Sequence, residues 1–118
     1  MRVMMMMGLL IGWMALAAEA TGKWKAEIDT QIGQQSYTYE FRVAGKELTG
    51  KATHANGSSE IAEGRVDGDR VSFVENFEYQ GNKVRIEYTG QFEGENKIKF
   101  TRKVAEFAVE DLVASRVK

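Results

Sequence analysis

Glycine residues recur at nearly even intervals along most of the chain, each within a short polar cluster. Six of them are spaced 12, 12, 11, 13 and 13 residues apart: Gly33, Gly45, Gly57, Gly68, Gly81 and Gly94. Tight hairpin turns need positive φ angles, which glycine adopts at little cost. Segments rich in Val, Ile, Phe, Tyr and Thr separate these clusters, as in a series of consecutive hairpins. The spacing therefore predicts an all-β meander.

These turns divide residues 21–118 into eight predicted strands. The strands lie near residues 22–30, 35–44, 47–55, 59–67, 70–79, 83–93, 97–104 and 110–117. The connection before the last strand lacks glycine, so a helical turn over 105–110 or a helix over 104–113 is the alternative there. Closing such a meander removes the exposed edges of an open sheet. We therefore expect one all-β domain over residues 21–118, an eight-stranded antiparallel up-and-down barrel.

Apolar and polar side chains alternate along the predicted strands, as expected for a sheet with one buried face. In the first strand Trp24 and Ile28 share an apolar face, and charged residues occupy the other face. In the fourth strand Ile61 and Val66 are out of phase with each other. We therefore predict a β-bulge near residues 62–64.

The first twenty residues differ sharply from the rest. All six Met lie at or before Met14, and Arg2 precedes an apolar run without charges that extends to Ala18. Ala18-Glu19-Ala20 has the small-x-small form of a cleavage site, and Ala15-Leu16-Ala17 is a second one. We predict a secretory signal peptide over residues 1–20 and a secreted or periplasmic protein. The alternative is an uncleaved anchor, but the run is short for a span of about 20 residues.

Charge and composition argue against several functions. The 16 Lys and Arg nearly balance the 17 Asp and Glu, which argues against nucleic-acid binding and against attachment to a membrane after signal cleavage. The chain has no Cys, which excludes disulfides, thiolate catalysis and Cys-based zinc sites. A single His argues against a transition-metal site. We predict no metal and no cofactor.

Alternation also places polar side chains inside the predicted barrel. The candidates for a ligand site are Tyr37 and Tyr39 on the second strand, His54 on the third, Glu75 on the fifth and Arg102 on the seventh. The order of the meander puts all of these residues except Tyr39 at the end of the barrel that holds the first, third and fifth turns. We call this end the upper end. Apolar side chains fill the other end. An apolar plug below a polar, aromatic mouth has the form of a small-molecule site, with Arg102 as the contact for an anionic group.

Each of these residues also has a purely structural explanation. Glu75 and Arg102 can form a buried ion pair whether or not a ligand binds. A bulge at Val74 would turn Glu75 outward, and His54 lies close enough to a turn to be solvated. The aromatic rings can simply fill the barrel, because eight strands leave little room inside.

Gly22-Lys23-Trp24 opens the first predicted strand, and Arg116 lies at the end of the last. This combination resembles the calycin superfamily, which includes lipocalins, fatty-acid-binding proteins and avidins. The resemblance implies that Trp24 plugs one end of the barrel and that Arg116 packs over it. Together with Leu48-Thr49-Gly50 and the segment from Gly64 to Phe73, it is closest to small exported bacterial domains without an assigned activity. No Trp follows Trp24, so the Trp cage of a biotin site is absent, and the further lipocalin motifs are also missing.

Three functions are compatible with this sequence. The leading hypothesis is an exported, non-catalytic binding barrel for a small, partly apolar molecule, with an anionic group as one option. The second is a module with a filled barrel that binds another exported protein. The third, ranked last, is a small enzyme that uses His54 and Glu75 for acid–base chemistry. A hollow upper half of the barrel distinguishes the binding barrel from the filled module. Perturbed pKa values of His54 or Glu75 beside such a cavity favour the enzyme.

Overall fold

A computed structural model describes residues 19–30, 33–55, 57–106 and 108–117 of the protein. The predicted signal peptide lies outside these ranges except for Glu19 and Ala20. Within the described ranges, no helix is long and apolar enough to cross a membrane.

Eight strands follow one another along the described chain. They are β1 (Gly22–Thr30), β2 (Gly33–Ala44), β3 (Glu47–His54), β4 (Gly57–Asp67), β5 (Arg70–Tyr79), β6 (Asn82–Phe92), β7 (Lys97–Val104) and β8 (Ala108–Arg116). Each strand pairs antiparallel with the next, and β8 pairs with β1 to close the barrel. The predicted eight-stranded meander barrel is confirmed.

The connection between β7 and β8 is a turn rather than a helix. Ala105 and Glu106 form the turn, and Ala108 already pairs with Val104. The predicted last strand is present, and the alternatives of a helix over 104–113 or a helical turn over 105–110 are wrong. The side chains of Leu112 and Ala114 are buried on the inner face of β8 and alternate with exposed ones, which suits a strand in a half-buried sheet.

The predicted bulge in β4 is present. The register with β5 shifts between Ala62 and Arg65, and Glu63 within it has a φ of 54°. Gly64 lies against β3, where an added Cβ would collide with the Leu48 carbonyl. The bulge therefore restores the alternation that Ile61 breaks, and it depends on a glycine where two backbones meet.

Side chains fill the lower and middle parts of the barrel. At the bottom, the rings of Trp24 and Phe92 meet edge to face with centroids 5.9 Å apart. Above them lies a cluster of rings with neighbouring centroids 4.2 to 6.5 Å apart, formed by Tyr39, Phe41, Phe73, Tyr88 and Phe100. A molecule that enters the barrel must therefore bind above this ring cluster.

Arg116 covers Trp24 at the bottom, as the sequence resemblance implies. Its guanidinium carbon lies 4.4 Å from the centre of the indole ring. The same guanidinium donates hydrogen bonds to the carbonyl oxygens of Thr21 (3.0 Å), Glu19 (2.7 Å) and Glu95 (2.8 Å). A Cβ on Gly22 would lie 3.2 Å from Arg116 Nη1, so the glycine leaves room for this contact.

Residues before the predicted start of the domain take part in the same closure. Trp24 Nε1 donates to the Ala20 carbonyl at 2.9 Å, and Ala20 is completely buried. The carbonyl of Glu19 accepts from Arg116 at 2.7 Å. The folded barrel thus uses Glu19 and Ala20, which cleavage after Ala20 would remove and cleavage after Ala17 would keep.

We expect a chain that starts at Ala18 to be more stable than one that starts at Thr21. The shorter chain leaves the buried Trp24 N–H without its acceptor, which typically destabilises by about 1–3 kcal/mol. Urea unfolding followed by Trp24 fluorescence measures the difference, since each chain has one Trp. Equal unfolding midpoints would show that Glu19 and Ala20 contribute nothing to the closure.

Candidate functional site

A buried carboxylate lies at the centre of the polar cluster above the ring cluster. Glu75, on β5, has no exposed surface. Tyr88 donates a hydrogen bond to its Oε1 at 2.9 Å, and Tyr37 donates to its Oε2 at 3.2 Å. Both oxygens therefore have hydrogen-bond donors, as a buried carboxyl group requires.

Arg102 is connected to Glu75 chiefly through Tyr88. Its Nη1 donates to the Tyr88 hydroxyl at 2.6 Å, whereas its distance to Glu75 Oε1 is 3.8 Å. Its Nε donates to Glu110 Oε1 at 2.7 Å. The guanidinium carbon also lies 4.9 Å from the centre of the Tyr37 ring. The expected pair of Glu75 and Arg102 is thus a network of two carboxylates, one arginine and a bridging tyrosine.

The hydroxyl of Tyr88 has one proton, and the geometry determines where it points. Because Tyr88 donates to Glu75 and accepts from Arg102, its contact with Tyr39 at 3.0 Å must have Tyr39 as the donor. The network therefore runs from Tyr39 through Tyr88 to Glu75. Among the described residues, no buried side-chain nitrogen or oxygen lacks a hydrogen-bond partner.

His54 lies between this network and the barrel wall. Its Nε2 is 3.9 Å from Glu75 Oε2, and its ring centroid is 4.9 Å from those of Tyr37 and Phe77. Only 8% of the residue surface is exposed. The alternative that His54 is simply solvated is therefore wrong, because the rings of Tyr37 and Phe77 pack against it.

Burial shifts the ionisation of these groups in opposite directions. Desolvation raises the pKa of Glu75, although the Tyr88 hydrogen bond, the Arg102 charge and the Tyr37 hydrogen bond oppose the shift. Desolvation lowers the pKa of His54, and the charge of Arg102 lowers it further. Burial raises the pKa of Tyr37 to about 12, so its hydroxyl keeps its proton at neutral pH. The site thus favours a neutral imidazole beside a carboxyl group that resists ionisation.

The barrel wall opens beside His54. The ladder between β4 and β5 ends at Ile61 and Glu75, and among described residues no pair joins 57–60 to 76–79. A cavity of about 710 Å³ lies there. Three lining side chains belong to the inner face of the barrel: His54, Ser59 and Phe77. Four others belong to the outer face: Ser58, Asn76, Glu78 and Lys83. Side chains of both faces therefore border this opening in the wall, and His54 is one of them.

The structure brings all five predicted ligand-site residues into one buried cluster. The residues are Tyr37, Tyr39, His54, Glu75 and Arg102. Of the five, only His54 lines the opening, and the other four lie behind it in the network. Tyr39 lies in the ring cluster and holds Tyr88. A bulge at Val74 that would turn Glu75 outward is absent, because Val74 pairs in register with Glu87. That these residues bind a ligand stays a prediction.

Sequence reasoning missed two members of the network. Alternation puts Tyr88 on the same face of β6 as Val84, Ile86 and Phe92, and these apolar neighbours make it look like an ordinary core residue. Glu110 faces inward with Leu112, and the predicted last strand began at residue 110, too late to show this alternation. Among the described residues, no three His, Cys, Asp or Glu side chains converge as metal ligands.

Comparisons with known proteins bear on the fold alone. No protein-family model matches the sequence, and no curated protein is similar to it. The chain is similar in structure to a redesigned β-barrel, mFAP1, bound to DFHBI, with a TM-score of 0.53, 9% sequence identity, and 82% of this chain and 94% of that chain covered. EF1p2_mFAP2b bound to DFHBI also has a TM-score of 0.53, with 11% identity over 82% of this chain and 93% of that chain. The chain is therefore a closed antiparallel β-barrel of the same general architecture.

We expect Glu75→Ala to destabilise the fold by about 3–5 kcal/mol, because it breaks a buried charge network and leaves Tyr37 and Tyr88 without an acceptor. Glu75→Gln preserves the size and one acceptor, so its loss should be smaller. Because burial raises the pKa of Glu75 in the folded protein, the carboxyl group contributes less to stability as the pH rises through that pKa. The loss of unfolding free energy in Glu75→Gln relative to wild type should therefore be smaller at pH 8 than at pH 4. Urea unfolding at both pH values tests this. An Ala variant as stable as the Gln variant would contradict it.

We expect His54 to make stability sensitive to mild acid. Its folded pKa is lowered, so its contribution is complete above the unfolded value of about 6.5 and is lost as pH falls toward the folded pKa. The difference in unfolding free energy between wild type and His54→Gln should therefore shrink between pH 7 and pH 5. A difference that grows over this range would mean that the imidazole is protonated more easily in the folded barrel.

Proposed function

We propose that the protein is a non-catalytic binding barrel for a small, partly apolar molecule. The observation that supports this best is the opening between β4 and β5, which connects the outer surface with the buried cluster at His54. The ring cluster fills the middle of the barrel, so the bound molecule lies at the upper end, against His54 and Phe77. Solved structures of similar architecture bind the small molecule DFHBI, which agrees with this use of the fold.

The lining of the opening suits a ligand with a flat apolar part and several hydrogen-bonding groups. Phe77 and His54 supply ring surfaces, and Ser58, Ser59 and Asn76 supply hydroxyl and amide groups. Such a mixture of aromatic surface and a few polar groups is typical of small-molecule sites. Glu78 and Lys83 stand opposite each other on the outer rim, where their charges offset.

Arg102 is a poorer contact for an anionic ligand than the sequence suggested. Its Nε is engaged by Glu110 at 2.7 Å and its Nη1 by Tyr88 at 2.6 Å. An anion at this guanidinium would compete with Glu110 and lie close to Glu75. Arg102 therefore holds the network in place, and the site favours an uncharged ligand.

Export and a relation to the calycins belong to the same proposal. The composition of residues 1–20 supports a signal peptide and a secreted or periplasmic location. The packing of Arg116 over Trp24 supports the relation to the calycins. Because the closure uses Glu19 and Ala20, cleavage after Ala17 suits the folded barrel better than cleavage after Ala20.

A small acid–base enzyme is the second candidate. The pKa values of His54 and Glu75 are shifted beside an opening, which is common at catalytic sites. We prefer a binding function to catalysis because both Glu75 oxygens already accept hydrogen bonds and His54 separates Glu75 from the opening. A proton transfer from Glu75 to a bound molecule would need His54 to move aside.

We expect Ser59→Phe to block the opening and Thr89→Phe to leave it unchanged, since Thr89 lies on the outer wall of β6. In a screen of neutral aromatic fragments by nuclear magnetic resonance, wild type and Thr89→Phe should share hits whose shift changes cluster at β4 and β5. Ser59→Phe should lose those hits by at least tenfold in affinity. Hits that bind Ser59→Phe equally well would place binding elsewhere, and an absence of hits would argue against this ligand class.

A further inference from the structure

The exposed large apolar residues of the described chain all lie at one place. They are Val109, Val113 and Val117, with 68%, 43% and 39% of their surface exposed. Val109 and Val113 lie on the outer face of β8, and Val117 follows the end of the strand. No other large apolar side chain of the described residues is exposed. This row of valines has no role in the barrel interior or in the opening beside His54.

Lysines flank the lower part of this row on both neighbouring strands. On β7, Lys97 and Lys99 are the cross-strand partners of Ser115 and Val113. On β1, Lys25 is opposite Ser115, and the Lys23 carbonyl accepts a hydrogen bond from the Val117 amide at 2.8 Å. We call the surface formed by Lys23, Lys25, Lys97, Lys99, Val113 and Val117 the β8 wall.

Acidic residues lie beside two lysines of the β8 wall: Lys23 is opposite Glu40 on β2, and the Lys97 carbonyl accepts from the Glu93 amide. None of its four lysines forms an ion pair with a described residue. The acidic side chains higher on these strands, Glu27 and Asp111, accept hydrogen bonds from Ser36 and Thr101. The whole chain has a formal net charge of −1, so four lysines on β1 and β7, the two strands that flank β8, are a local concentration of positive charge.

We propose that the β8 wall binds an acidic, partly apolar segment of another protein. The valines supply an apolar line, and the lysines on either side supply charge complementary to carboxylates. Neighbouring strands are about 4.8 Å apart, so the two lysine rows are separated by about 10 Å. An extended segment laid along β8 would place every second side chain, about 7 Å apart, against Val113, Ser115 and Val117 in turn. Carboxylates on its edges would then reach the lysines. This surface is independent of the proposed ligand site.

Two other occupants fit the β8 wall less well. A second copy of this chain in a symmetric contact would bring the same lysines together, and like charges opposite each other are destabilising. Proteins that lie on membranes use Trp, Phe or Leu to enter the interface, whereas this convex wall offers only valines. An acidic protein segment is the partner that matches both the shape and the charge.

A 16-residue peptide of alternating Glu and Val tests the proposal, with alternating Lys and Val as its control. We expect the acidic peptide to shift the amide resonances of β7, β8 and β1. Lys97→Glu with Lys99→Glu should weaken its binding at least tenfold, and Val113→Ser should weaken it several-fold. Lys51→Glu, on β3 outside the β8 wall and between Glu40 and Glu60, should change it by less than twofold.

Several results would overturn the proposal. One is peptide binding that maps to another surface or that survives the reversal of Lys97 and Lys99. Another is binding of phosphatidylglycerol vesicles through the β8 wall with no binding of the acidic peptide. Sedimentation that shows a dimer, abolished by Val113→Ser, would assign the wall to a second copy. If the double reversal does not fold, Lys97→Gln with Lys99→Gln serves instead, and unchanged affinity would again count against the proposal.

Discussion

The closure between β1 and β8 is the contact on which the rest of the structure depends. Their ladder consists of two residue pairs in the described chain, and the Arg116 guanidinium adds hydrogen bonds to three separate carbonyl groups there. Trp24 fills the barrel end beneath that guanidinium. Without the closure, β1 and β8 would be edge strands with unpaired backbone groups. Gly22 contributes by lacking a side chain, which leaves the space that Arg116 occupies.

A closed barrel of eight strands leaves little interior volume, and that limit explains where polarity appears. Aromatic rings occupy the lower and middle parts, so polar side chains can lie only at the upper end. Glu75 is tolerated there because Tyr37 and Tyr88 donate to it and Arg102 supplies a nearby charge. A buried carboxyl group without such partners would be strongly destabilising. The network therefore holds the upper end in one arrangement beside the opening.

Local sequence patterns predicted the strands well because a hairpin meander is built from neighbouring segments. Each turn needs glycine or polar residues at fixed places, and alternation then assigns the faces. This was enough to place His54, Glu75 and Arg102 inside the barrel. The turn before β8 was harder, because it contains no glycine: Ala105 itself adopts a positive φ of 47°.

The amino-acid sequence by itself determined the strand order, the bulge in β4 and the inward residues, and its resemblance to the calycins implied the packing of Arg116 over Trp24. Only the tertiary structure decided how the inward residues meet. Alternation fixes a side chain's face but not its partner on a distant strand, so the roles of Tyr88 and Glu110 stayed hidden. The opening beside His54 likewise depends on where the ladder between β4 and β5 stops. That end point follows from the curvature of the whole closed sheet, which no single segment specifies.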